Sequence, residues 1–189
     1  MKKLNLGSGD HGLPGWDNLD LVSPAIICDL TKPLSYPDSS VSHIFSEHFI
    51  EHLDEVDGFR LMKECSRVLV LGGKLRFCCP DLKQYVDAYL DWSKDNKPGK
   101  EKFTNGVNFI NFAILGEAKH GLKYLSPIDV SRDEGHKYYY DENEMRRKLI
   151  AAGFRDVIRC ERGMSNTPEL RNLEWRPPMR DLIVEATKA

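Results

Sequence analysis

Short apolar runs alternate with polar stretches along most of the chain, and their spacing predicts an α/β fold. Little helical sequence separates the first four runs, whereas apolar residues recur at helical spacing between residues 55 and 70. This alternation predicts a doubly wound, mostly parallel, Rossmann-like sheet. The strands expected in the first eighty residues are Lys3–Leu6, Trp16–Leu21, Ala25–Cys28, Val41–Ser46 and Leu75–Cys79.

Local signals indicate where the predicted helices begin and end. Gly72 and Gly73 are expected to end the helix over residues 55–70, so that the fifth strand begins near Lys74. Asp81 is the predicted N-cap of a second helix, because an aspartate side chain can accept a hydrogen bond from a free backbone N–H. The pattern resumes later with a helix and two strands, over Asp141–Ala152, Phe154–Cys160 and Asp181–Ala186.

The regular pattern is interrupted between residues 96 and 137. Loops of this length without clear periodicity are uncommon in compact domains and are usually either functional or disordered. We therefore expect a single domain over residues 1–189, with residues 96–137 inserted after the fifth strand as a lid on the substrate side. Two aromatic stretches, Tyr138–Tyr140 and Trp175–Pro178, could line a pocket or belong to the core.

Composition restricts the class of protein. The chain has 189 residues and a formal net charge of -2, with no apolar run near the roughly 20 residues that cross a bilayer and no signal-peptide core. Its five cysteines are odd in number and form no Cys-x-x-Cys pair, which favours free thiols over a disulfide framework. These features predict a cytoplasmic protein that does not bind a membrane.

Charge is distributed unevenly. Residues 1–60 contain four Lys and Arg residues against ten Asp and Glu residues. This half of the chain would repel a phosphate backbone and attract a cationic ligand. We therefore expect no nucleic-acid partner.

A glycine turn, Gly7-Ser8-Gly9, follows the first predicted strand, and Asp20 and Asp29 close the next two apolar runs. Glycines allow close approach of the backbone to a ligand, and carboxylates at strand ends accept hydrogen bonds from a ribose. A dinucleotide site would need a third glycine, a following helix, and an acidic residue about 20 positions further on. The third glycine is missing and Asp20 comes too early, so a nucleoside ligand without a pyrophosphate is favoured.

Eight segments carry a common set of motifs: Leu4–Gly9, Leu13–Asp20, Cys28–Leu30, Leu34–Val41, Ser46–Leu53, Leu71–Leu75, Gly135–His136 and Leu149–Phe154. Together they resemble a small family of class I S-adenosylmethionine-dependent methyltransferases, the type 11-like methyltransferases. A cationic sulfonium cofactor also agrees with the acidic first half of the chain. One difference from the wider group is the Pro/Gly loop that follows the glycine turn in place of a helix.

The resemblance implies a role for each motif residue. Gly7 and Gly9 would lie behind the methionine part of S-adenosylmethionine, and Asp20 would accept hydrogen bonds from its ribose. The remaining predicted contacts are Asp29 and Leu30 beside the adenine, and Ser46 and Glu47 at the border of the cofactor.

Catalysis by methyl transfer depends mainly on alignment of donor and acceptor, and a hydroxyl acceptor is helped by a general base. His48, after the fourth strand, and His136, before the late helix, are the candidates for that base, and no metal is expected. The chain lacks an Asn-Pro-Pro-Tyr-type tetrapeptide, which favours oxygen over amine methylation. The resemblance suggests a small-molecule or glycan-type acceptor; the oligomeric state is not predicted.

Two alternative functions remain open. His48-Phe49-Ile50-Glu51-His52 spells HxxEH, the signature of inverted zinc peptidases, which would make the chain a zinc-dependent hydrolase. The other alternative is a catalytically silent domain that binds the cofactor for a partner protein.

Overall fold

The computed structural model describes residues 1–22, 24–95, 135–178 and 180–189. Most of the predicted lid, residues 96–134, lies outside the described residues, so its role stays a prediction. Among the described residues, no helix has the length and apolar character needed to cross a membrane. All five cysteines are free thiols, as expected.

A seven-stranded sheet, in the order β3-β2-β1-β4-β5-β7-β6, forms the centre of the described fold. The first five strands are parallel, and β7 runs antiparallel between β5 and β6. The predicted doubly wound, mostly parallel sheet is therefore confirmed. The strands are β1 (Lys2–Leu6), β2 (Asp17–Asp20), β3 (Ile26–Ile27), β4 (Val41–Glu47), β5 (Leu69–Pro80), β6 (Phe154–Arg159) and β7 (Asp181–Lys188).

The described helices are α1 (Glu55–Val68), α2 (Leu82–Asp95) and α3 (Glu142–Ala151). An aspartate caps the start of each helix: Asp54 accepts from the N–H of Asp57, and Asp141 accepts from that of Glu144, both at 2.8 Å. At α2, Asp81 accepts from the N–H of Lys83 at 3.1 Å. The sequence prediction of an aspartate cap at Asp81 is thus confirmed.

The boundary between α1 and β5 differs from the prediction. The strand begins at Leu69, which pairs with Val41, whereas Lys74 already pairs with His43. The chain therefore advances five residues along β5 where it advances two along β4, and the extra residues of β5 form a bulge. Gly72 has φ +77°, and a side chain on Gly73 would lie 2.9 Å from the Val70 carbonyl oxygen. The glycines permit the bulge inside the strand, so they do not end the helix.

The strand order places a crevice at the carboxyl ends of β1 and β4. The chain passes from β1 to β2 and β3 on one side of the sheet, and then crosses to β4 on the other side of β1. Ligands of open α/β sheets bind at such a switch in strand order. The glycine turn after β1 and the residues that end β4 both lie at this point.

Candidate active site

The glycine turn after β1 adopts a backbone that favours glycine. Gly7 and Gly9 have φ +67° and +53°. A Cβ atom placed on Gly7 would lie 2.3 Å from the ring of Phe49. A Cβ atom placed on Gly9 would have no atom of the described residues within 4 Å. Gly7 is therefore required by close packing against the segment after β4, and Gly9 faces open space where a ligand could approach.

Asp20 lies against this turn. One oxygen of its carboxylate accepts from the N–H of Gly9 at 2.8 Å, and the other accepts from the N–H of Leu21 at 2.6 Å. A carboxylate can accept about four hydrogen bonds. These two bonds orient Asp20 and leave it the capacity to accept from the hydroxyls of a ligand.

A small cleft opens between the glycine turn and the end of β4. The empty space in it, including space open to solvent, is about 210 Å³. Its lining combines backbone, carboxylate, imidazole and indole groups. The residues are Asn5, Gly7, Ser8, His11, Leu13, Phe45, Glu47 and Trp175.

Trp175 reaches this cleft from the segment between β6 and β7. Its ring stacks on His11, with the ring centroids 3.9 Å apart and the planes at 16°. Its backbone N–H donates to Glu47 at 3.1 Å, and 45% of the residue is exposed. Trp175 thus lines a pocket, the first of the two alternatives left open by the sequence. No motif indicated that His11 would meet it.

Glu47 ends β4 inside the cleft and is buried. Its Oε2 atom accepts from Trp175, while its Oε1 atom has no hydrogen-bond partner among the described residues. Burial raises the pKa of Glu47 even though the Trp175 N–H and the nearby cations oppose this shift. Its neighbour Ser46 donates its hydroxyl proton to the Leu6 carbonyl at 2.9 Å and so joins β4 to β1.

The two residues expected beside an adenine follow β3. Asp29 is exposed and accepts from both the N–H and the hydroxyl of Thr31, at 2.9 and 2.6 Å. These bonds lower the pKa of Asp29 and stabilise a local turn. The side chain of Leu30 is buried in the core, so this residue can meet a ligand only through its backbone.

His48 lies directly after β4, where it joins two buried carboxylates. Its Nε2 atom lies 3.1 Å from Asp181 on β7, and its Nδ1 atom lies 3.2 Å from Glu51. Burial alone would lower the pKa of His48, but Asp181 and Glu51 together raise it to about 9. At neutral pH the imidazole is therefore a cation with both nitrogens directed at carboxylates. This geometry favours a positioning role and does not favour the predicted role of general base.

His136 precedes α3 and lies beside the segment after β4. The N–H groups of Lys137 and Tyr138 donate to the Glu51 carbonyl at 2.8 and 3.3 Å, which joins the two segments. The ring of His136 meets that of His52 edge to face, with the centroids 5.0 Å apart. The structure thus brings the second predicted histidine to the end of β4, but next to His52 and Glu51 rather than His48.

The HxxEH arrangement of a zinc peptidase is not formed. That signature needs two histidines on one face of a helix, but His48 has φ +50° and precedes the short 3-10 helix Ile50–His52. In the described chain His48 groups with Cys78 and Asp181, whereas His52 groups with Glu51 and His136. The zinc-peptidase interpretation is therefore wrong, because backbone geometry separates its two histidines.

Comparison with known proteins adds two findings. A sequence model described as a methyltransferase domain matches residues 16–77, from the loop before β2 into β5. A search of curated proteins gives no significant match.

Several solved methyltransferase structures share the fold. One S-adenosylmethionine-dependent methyltransferase, from Archaeoglobus fulgidus, has 18% identity over 99% of this chain and 86% of its own, with a TM-score of 0.56. A second, from Methanosarcina mazei, has 17% identity over 99% and 92%, with a TM-score of 0.56. A third, from Mesorhizobium loti, has 18% identity over 99% and 90%, with a TM-score of 0.52. At these identities the likeness is one of fold.

Proposed function

We propose that this chain is a class I S-adenosylmethionine-dependent methyltransferase that methylates an oxygen atom of a small-molecule or glycan-type acceptor. The proposal is supported by the methyltransferase-domain match over residues 16–77 and by the fold shared with such enzymes. The matched domain and the shared fold support methyl transfer and the cofactor. The acceptor class and the oxygen target are the proposed part. The observation that carries them is the group of histidine and carboxylate side chains at the end of β4.

The cleft residues fit the cofactor. Gly9 leaves open space beside Asp20, whose carboxylate can accept from ribose hydroxyls. The buried Oε1 atom of Glu47 lacks a hydrogen-bond partner among the described residues and would accept from the amino group of a methionine moiety. When bound, the cofactor supplies a methyl group on a cationic sulfur. Asp29 and Leu30, which follow β3, remain the candidates for the adenine side.

The residues after β4 support an oxygen acceptor. Amine methylation often uses an Asn-Pro-Pro-Tyr-type segment there, whereas this chain has Ser46-Glu47-His48-Phe49. A hydroxyl must lose a proton as it is methylated, and groups that hold or polarise it lower that barrier. Glu51, His52 and His136 lie together after β4, whose last residue, Glu47, lines the cleft, and they would perform this task, while the cationic His48 holds Glu51 in position.

The acceptor atom can be tested with the purified chain and S-adenosylmethionine carrying a ¹³C-labelled methyl group. We expect transfer to hydroxylated acceptors such as mono- and oligosaccharides, with a methyl carbon whose NMR shift is that of an O-methyl group. Matched amino sugars, with one hydroxyl replaced by an amine, serve as the control. Products labelled on nitrogen would contradict the oxygen target, and saturable cofactor binding without transfer to any acceptor would support the silent binding domain.

Removal of the Asp20 carboxylate tests the cofactor site. We expect Asp20→Ala to weaken S-adenosylmethionine binding by about 1.5–3 kcal/mol, since hydrogen bonds to a charged group are worth that much. Isothermal titration calorimetry gives the affinity. Asp87→Ala is the matched control, because it removes an exposed carboxylate that pairs with Lys83 on α2. Equal affinity of the parent and Asp20→Ala would show that the ribose is held elsewhere.

A further inference from the structure

Three potential metal ligands meet between the end of β4 and the start of α3. Glu51, His52 and His136 each offer one ligand atom, and these atoms all lie within 4.8 Å of one another. Glu51 and His52 belong to the 3-10 helix after β4, and the backbone hydrogen bonds to the Glu51 carbonyl hold the His136 segment beside them. The cluster is therefore formed by two segments that are far apart in sequence.

The buried Glu51 side chain has hydrogen-bonding capacity that its neighbours leave unused. It is 1% exposed, and neither of its carboxylate oxygens accepts a hydrogen bond from the residues that the structure describes. The His48 imidazole forms an ion pair with this carboxylate at 3.2 Å. His48 offsets part of the cost of burying this carboxylate, and a bound metal ion would use the acceptor positions that remain.

The donor set indicates which kind of cation. Two imidazoles and one carboxylate form a common ligand set for divalent transition-metal ions, and they leave coordination positions open. A hydrogen bond joins Nδ1 of His136 to the Tyr139 hydroxyl at 2.9 Å. Such outer partners fix the ring of a ligating histidine, and His48, held by Asp181, would fix Glu51 in the same way.

We propose that Glu51, His52 and His136 bind one divalent transition-metal ion, whose open positions hold the hydroxyl acceptor. The second part rests on the proposed O-methylation. A metal ion at this site would polarise an acceptor hydroxyl and make it easier to deprotonate. In the balanced reaction the acceptor oxygen gives its proton to water and bonds to the methyl carbon, and the electron pair of the broken carbon–sulfur bond stays on sulfur.

Metal binding is tested without cofactor, so that it is independent of methyl transfer. The tag-free, chelator-treated chain is titrated with Zn²⁺, Mn²⁺ and Co²⁺ by calorimetry, and Co²⁺ binding is also followed by visible absorption. We expect one ion per chain. Loss of a residue that hydrogen-bonds a metal ligand typically weakens metal binding by roughly 10- to 100-fold, and we expect an effect of this size for Tyr139→Phe. Glu51→Gln and His136→Ala each remove a ligand, so they should weaken metal binding by more than that.

His43→Ala is the matched control, because it removes a half-buried imidazole of β4 outside the cluster, and it should bind like the parent. If Glu51→Gln does not fold, His136→Ala and Tyr139→Phe decide the result. The proposed site would be wrong if the parent chain bound no metal ion, or if these variants bound the ion as well as the parent does. An unchanged transfer rate in the metal-free chain would overturn its role toward the acceptor, whereas metal binding without any transfer would refute the proposed function and leave the site intact.

Discussion

Arg76→Met is expected to lower the free energy of unfolding by about 3–5 kcal/mol, the cost of leaving buried charges without their partner. Arg76 lies on β5 and is fully buried. Its guanidinium donates to Glu174 and to Glu185 on β7, both at 2.6 Å. It also donates to the carbonyls of Met164 and Glu161, at 3.0 and 3.2 Å. Removal of Arg76 would therefore leave two carboxylates and two carbonyls without their shared donor.

Urea unfolding of the parent and Arg76→Met measures this loss. A second variant, Arg76→Met with Glu174→Gln and Glu185→Gln, should recover part of the stability because the unpaired carboxylates are neutralised. Arg147→Met is the matched control, because Arg147 pairs with Glu144 on the surface of α3. The stability of this variant should stay near that of the parent. Equal effects of the Arg76 and Arg147 substitutions would contradict a dominant role for the buried pairs.

The Arg76 substitution should also affect the cleft that we propose for the cofactor. Glu174 precedes Trp175, which donates to Glu47 and stacks on His11. Arg76 therefore holds the segment that forms one wall of the cleft. We expect weaker cofactor binding in Arg76→Met even at temperatures where the variant is fully folded, and calorimetry under those conditions measures it.

Gly7→Ala should lower stability by at least about 2 kcal/mol and also weaken cofactor binding. A left-handed backbone costs an ordinary residue roughly 1–2 kcal/mol, and overpacking typically adds about 1–3 kcal/mol. Both apply here, because Gly7 has φ +67° and its added Cβ would lie 2.3 Å from the Phe49 ring. Relief of that contact would displace the glycine turn from the end of β4. Urea unfolding and calorimetry measure the two effects.

Gly15→Ala is the matched control for this substitution. Gly15 has φ +76°, and nothing described lies within 4 Å of a Cβ placed there. This variant should show only the backbone cost and bind the cofactor normally. Gly7→Ala combined with Phe49→Leu should recover some of the difference, because a smaller side chain leaves room for the Cβ. If Gly7→Ala and Gly15→Ala behave alike, the packing of the turn against Phe49 does not limit the site.

Local patterns in the sequence predicted the fold and indicated which residues to propose for cofactor binding. Alternating apolar runs indicated the strands, and the helical periodicity indicated α1, because burial on one face of an element repeats with its own geometry. The glycine turn and Asp20 were recognisable because they follow strands directly, and parallel strands bring their carboxyl ends to one edge. The structure joins these two through the bond from Gly9 to Asp20.

Tertiary structure alone determined the groups that meet across long separations in the chain. The sequence placed His48 in one motif with His52, but the backbone at His48 directs it to Asp181, which is 133 positions away. His136 joins Glu51 and His52, and Trp175 joins His11, through contacts that follow no local period. Periodicity reports which face of an element is buried, whereas the partner of a polar side chain depends on how distant segments pack. For this reason the sequence predicted a cofactor turn and candidate histidines, and only the folded chain assigned those histidines to separate clusters.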